Sequence, residues 1–418
     1  MNVLSVALSV LETALVFVVM VSVLVAAHEY GHYIFARLFG MGAEEFCIGV
    51  GVRPLLTWGR RRYRLALSES ERAALPMAEG ALDAGEPPRE LNEETRFTVR
   101  AWPIGGFVRI KGMVPQEDGS EVRVPGGFYS KAPWKRLVVL FGGPLFSVLA
   151  GVLILFFLYW AVGATRPAGT SIEGIVRGGP AQAAGLLPGD RLTAIDGQPV
   201  LEFYDVVSRV RDQAGRDLQV RYVRQGVERE TRLQPKLAEL PDAVMGSDHL
   251  PTGEMRRQAK IGAAFGLVHV ALGPVGALAE AVSRPQQAVV GMIAIFERKV
   301  KVEDSVGGPI ALATMTDAAV RQGILTLIEW AGILSISVGI FNLLPVLGVL
   351  DGGQMVTALI EMLRGGRRLS YKVQNAMAAV GFSMIVLIVI GVFFVDIKRL
   401  VMPSRPMPEF VPIEAPKR

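Results

Sequence analysis

The sequence predicts a polytopic α-helical membrane protein with about four transmembrane helices, a cytoplasmic β-hairpin region and one extracytoplasmic α+β domain. Three observations predict it. Of 418 residues, 51% are hydrophobic, and the mean hydropathy is +0.38. Soluble domains reach about 45–50% apolar only with Gly counted in, and here Gly is still to be added. The apolar residues gather into runs that meet the ~20 residues a bilayer core demands. Between the second and third runs, short segments of strand character replace them.

The net charge of +5 and pI of 9.3 would suit nucleic acid. The basic residues flank the apolar runs, however, where they act as topology signals. The partner they imply is the lipid bilayer, with no nucleic acid. Cys47 is the only cysteine, so no intrachain disulfide can form, and a structural zinc site of cysteines is excluded.

The first transmembrane helix takes residues 1–40, with its apolar run from about Val6 to Phe39. Residues 41–135 form a cytoplasmic loop with a membrane-associated β-hairpin and a charged insert, Ser68 to Glu94, which reads as flexible. In this loop Phe97 to Lys111 (FTVRAWPIGGFVRIK) sets β-branched and aromatic residues around Pro103 and Gly105-Gly106, as a hairpin or bulged strand requires. The second helix covers 136–164. Residues 168–238 form the soluble domain, with strand patterns IEGIV, RLTAID, LQVRYV and ETRLQ, a turn at Asp196-Gly197 and a helix from Phe203 to Gln213. Residues 239–322 are expected to be interfacial or re-entrant, because the apolar stretch Ile261 to Phe296 is broken by Gly273, Pro274, Glu280, Arg284 and Pro285. A third helix over 323–353, a cytoplasmic loop over 354–375, a fourth helix over 376–398 and a tail over 399–418 complete the chain.

Charge sets the orientation. Arg53, Arg60, Arg61, Arg62, Arg64, Arg109, Lys111, Lys131, Lys135 and Arg136 lie between the first two runs, and Arg364, Arg367, Arg368 and Lys372 between the last two. Residues 1–11 carry no Lys or Arg. The positive-inside rule places both basic loops in the cytoplasm, with the termini and the soluble domain outside.

His28-Glu29-Tyr30-Gly31-His32 is an HExxH pattern that continues the apolar run Ala14 to Ala27. On a helix, positions i and i+4 share a face. Two imidazoles there can hold one zinc ion, with Glu29 beside the first as general base. Three ionisable groups at membrane depth are costly and point to a metal or a proton path. The rival readings are helix-capping histidines at the interface and a signal peptide ending at Val25-Ala26-Ala27. The second is opposed by Glu12 and by an n-region without positive charge. Catalytic zinc takes a third protein ligand and keeps one open position. Asp351, after the third run and before a basic loop, matches the histidines in depth; Glu329, early in that run, is the alternative. His249 and His269 fall on the outer side.

The chain resembles the site-2 protease family of bacterial intramembrane zinc metalloproteases. The resemblance rests on HEYGHYIFARLFG (His28 to Gly40), EEFCIGVG (Glu44 to Gly51), WPIGGFVRIKG (Trp102 to Gly112), GGPLFS (Gly142 to Ser147), GGPI (Gly307 to Ile310) and NLLPVLGVLDGG (Asn342 to Gly353). It implies one Zn2+ held by His28, His32 and Asp351, with Glu29 as general base and Asn342 against the substrate or its developing oxyanion. It also implies that the hairpin around Gly105 and Gly106 presents substrate as an added strand. Ser147 stands where the family usually has Asn, and Leu347-Gly348 makes the spacing from Asn342 to Asp351 one residue longer than usual. Gly31, Gly142, Gly143 and Pro144 read as close helix packing. Gly179-Pro180-Ala181, Ala184 to Arg191 and Ile195-Asp196-Gly197 resemble a PDZ domain of the protease-associated type, which captures an extended peptide or C-terminus.

The expected activity is intramembrane endoproteolysis of single-span membrane protein substrates, within regulated intramembrane proteolysis, in the bacterial inner membrane. A catalytically silent PDZ-bearing scaffold and a metal transporter are the alternatives.

Overall fold

The structure, a computed structural model, describes residues 3–66, 90–113, 124–238, 242–245, 251–297, 307–345, 350–367, 369–401 and 410–411. Most of the charged insert from Ser68 and the Leu347-Gly348 insertion lie outside the described residues. The chain divides into two compact units, Met1–Leu155 with Gly307–Phe394, and Phe156–Val306 with Val395–Arg418.

The first unit opens with helix α1 (Val3–Leu38), followed by strands β1 (Ala43–Ala66) and β2 (Glu90–Ile110) and the start of helix α2 (Pro133–Val162). Four helical segments among the described residues are long and apolar enough to cross a membrane: Leu11–Leu38, Pro133–Val162, Ile324–Asn342 and Lys372–Lys398. The chain is a membrane protein that also carries substantial β-structure.

Without a hydrophobic drive between helices in lipid, close association rests on small residues that let backbones meet. At the crossing of α1 and α2, a Cβ on Gly142 would lie 2.6 Å from the Gly31 carbonyl oxygen. Nine residues of helix further on, a Cβ on Gly151 would lie 2.6 Å from the Gly332 carbonyl oxygen. Ser335 Oγ adds a hydrogen bond of 2.8 Å to the Ser147 carbonyl. α2 therefore meets both α1 and the helix that carries Gly332 and Ser335, and those two helices also pack on each other at Met20, Leu24 and Leu334.

Strands β1 and β2 pair along most of their length. They fold so that residues 43–50 pair on both sides, Phe46 opposite Val108 on one and Phe97 on the other. Residues 54–66 then pair with 90–100. Segment 102–110 is an outer strand, with no second strand partner among the described residues. Of the two readings of this segment, hairpin or bulged strand, the structure has the strand: both glycines lie inside β2, Gly105 with φ +95°, and the pairing shifts register opposite them between Ile48 and Val50. Gly105 supplies the positive φ, and Gly106 supplies clearance. A Cβ on Gly106 would lie 2.8 Å from the Cys47 carbonyl oxygen and 3.1 Å from Val25 of α1.

The second unit is built on a sheet. Gly163, with φ +84°, links α2 directly to strand β3 (Ala164–Val176). There follow helix α3 (Pro180–Ala183), strands β4 (Arg191–Ile195) and β5 (Gln198–Pro199), helix α4 (Phe203–Val210), and strands β6 (Leu218–Arg224) and β7 (Val227–Leu233). Short strands β8 (Lys236–Leu237), β9 (Asp242–Met245), β10 (Pro251–Arg256) and β11 (Ala259–Lys260) lead to β12 (Ala263–Val270) and helix α5 (Pro274–Phe296). The sheet runs β12-β3-β4-β6-β7, with β5 on β4. Asp196 and Gly197 both take positive φ, 49° and 76°, as a tight turn between β4 and β5 requires. Ile172, Ile175, Leu186, Leu192, Ile195, Val206, Val210, Leu218 and Leu233 form its core.

The sheet thus draws on residues beyond 168–238. The stretch Ile261 to Phe296 divides into a strand and a helix with Pro285 inside it. β12 has apolar residues on both faces, which hides its period of two.

The first unit resumes with helices α6 (Pro309–Gln322), α7 (Ile324–Asn342), α8 (Asp351–Leu363) and α9 (Tyr371–Val401). Asp351 is therefore not the end of the third span, which closes at Asn342; it opens a new helix. α9 is the most exposed, with 6% of its apolar window buried against 33% for α7. A final strand, β13 (Phe410–Val411), pairs with Ile175 and Val176 of β3.

Replacing Gly142 by Val forces the α1–α2 crossing open. Overpacking costs about 1–3 kcal/mol and often more against backbone. We expect a clear drop in the thermal unfolding midpoint of the detergent-solubilised protein, measured beside Gly391→Val in α9, a helical glycine whose Cβ would meet nothing within 4 Å.

Candidate metal centre

His28 and His32 lie one helical turn apart on α1, on the face turned to α2, and both are buried. Each ring is fixed by a contact from α2. His32 Nδ1 donates to the Val139 carbonyl oxygen at 2.8 Å. A carbonyl can only accept, so His32 Nδ1 carries a proton, and Nε2 is the ring nitrogen left to face a metal. His28 Nδ1 lies 2.9 Å from Ser147 Oγ, which permits the same tautomer.

Both Nε2 atoms then face one carboxylate. Asp351 Oδ2 is 3.0 Å from His28 Nε2 and 3.5 Å from His32 Nε2, and the two Nε2 atoms are 3.3 Å apart. Zinc bonds of about 2.0–2.1 Å in tetrahedral array set ligand atoms about 3.3 Å apart. The three donors therefore match a zinc ion's geometry, and the donor set, two imidazoles and a carboxylate, matches its chemistry. Of the sequence candidates, His28, His32 and Asp351 are brought together, and Glu329 is outside the cluster. His269 lies on β12 in the second unit, and His249 lies outside the described residues.

Two glycines make this approach possible. A Cβ on Gly143 would lie 2.7 Å from His28 Nε2 and 2.6 Å from His32 Cε1. A Cβ on Gly352 would run into the Leu343 and Leu344 carbonyls at the end of α7. Glycine beside Asp351 thus serves close backbone approach rather than a bend in the chain.

Glu29 is half-buried and lies outside the three-donor cluster. Its Oε2 accepts a hydrogen bond of 2.9 Å from the Val108 N–H of outer strand 102–110. Asn342 is the last residue of α7, and no hydrogen bond joins it to the cluster among the described residues. Sequence reasoning missed the supporting roles of Ser147, Val139 and Gly143. GGPLFS carried a signal for two of them; a main-chain carbonyl such as that of Val139 leaves no trace in residue types.

Four apolar helices, and two buried histidines of an HExxH helix joined by Asp351 of α8, define a membrane protein with the donor set of a metallopeptidase. The sequence profile of peptidase family M50 matches residues 16–68 and 88–388. A Brucella suis protein is 29% identical over 396 residues, covering 89% of this chain and 92% of its own. A Rhizobium meliloti protein is 27% identical, covering 92% and 96%, and a Staphylococcus aureus protein is 28% identical, covering 94% and 99%. All three bear the name "Putative zinc metalloprotease". The chain belongs to peptidase family M50, and it is a metalloprotease of the site-2 type.

Groups that orient metal-ligating histidines typically contribute about 10–100-fold in metal affinity. Ser147→Ala should weaken zinc binding on that scale with the helices intact. Competition with a chromophoric chelator measures it, and Ser147→Asn should restore tight binding.

Proposed function

We propose that this chain is an intramembrane zinc metalloendopeptidase that cuts membrane-anchored proteins within or next to a transmembrane segment, in regulated intramembrane proteolysis. The observation that carries this reading is the cluster of His28, His32 and Asp351, whose ligand atoms stand 3.0–3.5 Å apart beside an apolar spanning helix.

His28, His32 and Asp351 would hold one Zn2+. When bound, the metal supplies Lewis-acid polarisation of the scissile carbonyl. Glu29, one residue from a ligand and outside the donor set, takes the proton of the attacking water and returns it to the leaving amine. Asn342 offers its amide to the substrate or the oxyanion. Strand 102–110, with Gly105 and Gly106, receives an unwound substrate segment on its free edge by strand addition.

The substrate class follows from the surroundings. A peptidase centre on a spanning helix meets single-span proteins, whose helices must unwind before cleavage. Residues 168–238 act as a PDZ domain that binds a peptide or C-terminus and screens substrates. Its place outside the cytoplasm is read from the basic loops around Arg60 to Arg64 and Arg364 to Arg368 by the positive-inside rule. Gly163 joins the end of α2 to β3, and β13 of the C-terminal tail pairs with the same strand. The termini lie outside with it, and the active site lies toward the cytoplasm of a bacterial inner membrane.

Glu29→Gln should keep one zinc per chain and lose at least ~10²-fold in cleavage, the scale of general acid–base catalysis. Asp351→Asn should lose both. Zinc stoichiometry and cleavage of single-span reporters in proteoliposomes, measured together, separate a peptidase from a silent scaffold. Unchanged turnover with Glu29→Gln removes the general-base role.

A further inference from the structure

Glu45 lies on β1 with 4% of its surface exposed, although it carries a charge. Burying a carboxylate is costly unless it is paired and hydrogen-bonded. Here its neighbours come from the segments on both sides. From 95–100, Thr98 Oγ1 donates to Oε1 at 2.6 Å, and Arg100 Nη2 lies 2.9 Å from both carboxylate oxygens. From outer strand 102–110, Arg109 Nη2 stands 3.8 Å from Oε2. Burial alone would raise the Glu45 carboxyl, but the Thr98 hydroxyl and the Arg100 and Arg109 guanidiniums together hold it below the usual carboxylate range.

The position of this knot matters. Glu45 pairs with Arg109 across the outer strand and with Arg96 across the inner one. The next pair outward, Phe46 with Val108, sets the amide that donates to Glu29. A slip of one residue in a strand turns every side chain to the other face and moves every amide. Near Glu45 the register is also held by buried apolar residues, Phe46 against Tyr33, Phe97 and Val108, and Ile110 in its own cluster, but toward Val50, Val52, Leu56 and Trp102 the apolar residues are exposed and apolar packing gives out. A directional ionic knot adds what apolar contacts alone do not, a fixed partner on each neighbouring segment.

We propose that Glu45 is a positioning residue for proteolysis. Its carboxylate locks the register of outer strand 102–110, and so fixes which peptide bond of an added substrate strand faces Glu29 and the metal. This rests on the reading of strand 102–110 as the receiving edge.

The test has two arms, both on the full chain in lipid. The first needs no substrate. Cys47 pairs with Phe107, and paired strand residues lie about 4.5–5.5 Å apart at Cα, within disulfide range. Phe107→Cys should therefore cross-link to Cys47 on mild oxidation. Adding Glu45→Gln should lower that yield several-fold while zinc content stays at one per chain. Equal yields with and without Glu45→Gln overturn the proposal. The second arm maps cleavage by mass spectrometry, using a reporter whose single span is a Leu/Ala segment broken by one Gly-Pro pair. Wild type should cut at one bond. Glu45→Gln should cut at several, with kcat reduced ~10-fold or more, since small misplacements near the chemistry cost up to about 10²-fold, and with KM little changed. One unchanged cut site at wild-type kcat also overturns the proposal. A wild type that cuts no single-span reporter counts against the peptidase reading instead, and leaves the cross-linking arm to decide the register.

Discussion

The structure depends on one close approach, that of α1 and α2 at Gly31 and Gly142. Lipid gives helices little reason to associate, so backbone contact has to be made possible by missing side chains. This contact does more than hold two helices. One residue beyond Gly142, Gly143 leaves room for both imidazole rings, and four residues further Ser147 meets His28. The same surface of α2 thus packs the helix and orients the ligands. Its other side receives α7 at Gly151, which brings the Leu343 and Leu344 carbonyls to the end of the span, against Gly352. Asp351 then enters from α8 with little freedom in its placement.

The β1–β2 assembly stands on the other side of α1. It reaches the general-base candidate through a main-chain amide rather than a side chain, so its contribution is carried by backbone position. Backbone position in a strand is only as good as its register. That explains why a charged carboxylate, an arginine and a hydroxyl are buried together inside a small sheet that could have been filled with apolar residues.

Much of this was legible in the residues. His28, Glu29 and His32 are local in sequence, and a helix turns that spacing into one face. The four spanning segments follow from length and hydropathy. The strands of the second unit follow from alternation in RLTAID and LQVRYV. What was hidden has physical causes. Asp351 was placed at a helix end because the break after Asn342 carries only one Pro and no long polar stretch. Gly105-Gly106 left hairpin and bulged strand both open because paired glycines serve turns and close approaches equally well. β12 was hidden by apolar residues on both faces. The partners of His32 and Glu29 are main-chain atoms, which no residue type reveals.

The fourth span has a different consequence. From Lys372 to Lys398 it has 27 residues, about 40 Å of helix at 1.5 Å per residue. The hydrocarbon layer it crosses is about 30 Å thick, and an overlong helix accommodates by leaning. Most spanning helices have their tilt fixed by neighbours. This one buries 6% of its apolar window in protein, so its tilt is left to the thickness of the surrounding bilayer. Lipids with longer or shorter chains would change the angle of α9 while the α1–α2–α7 packing around the metal stays as it is.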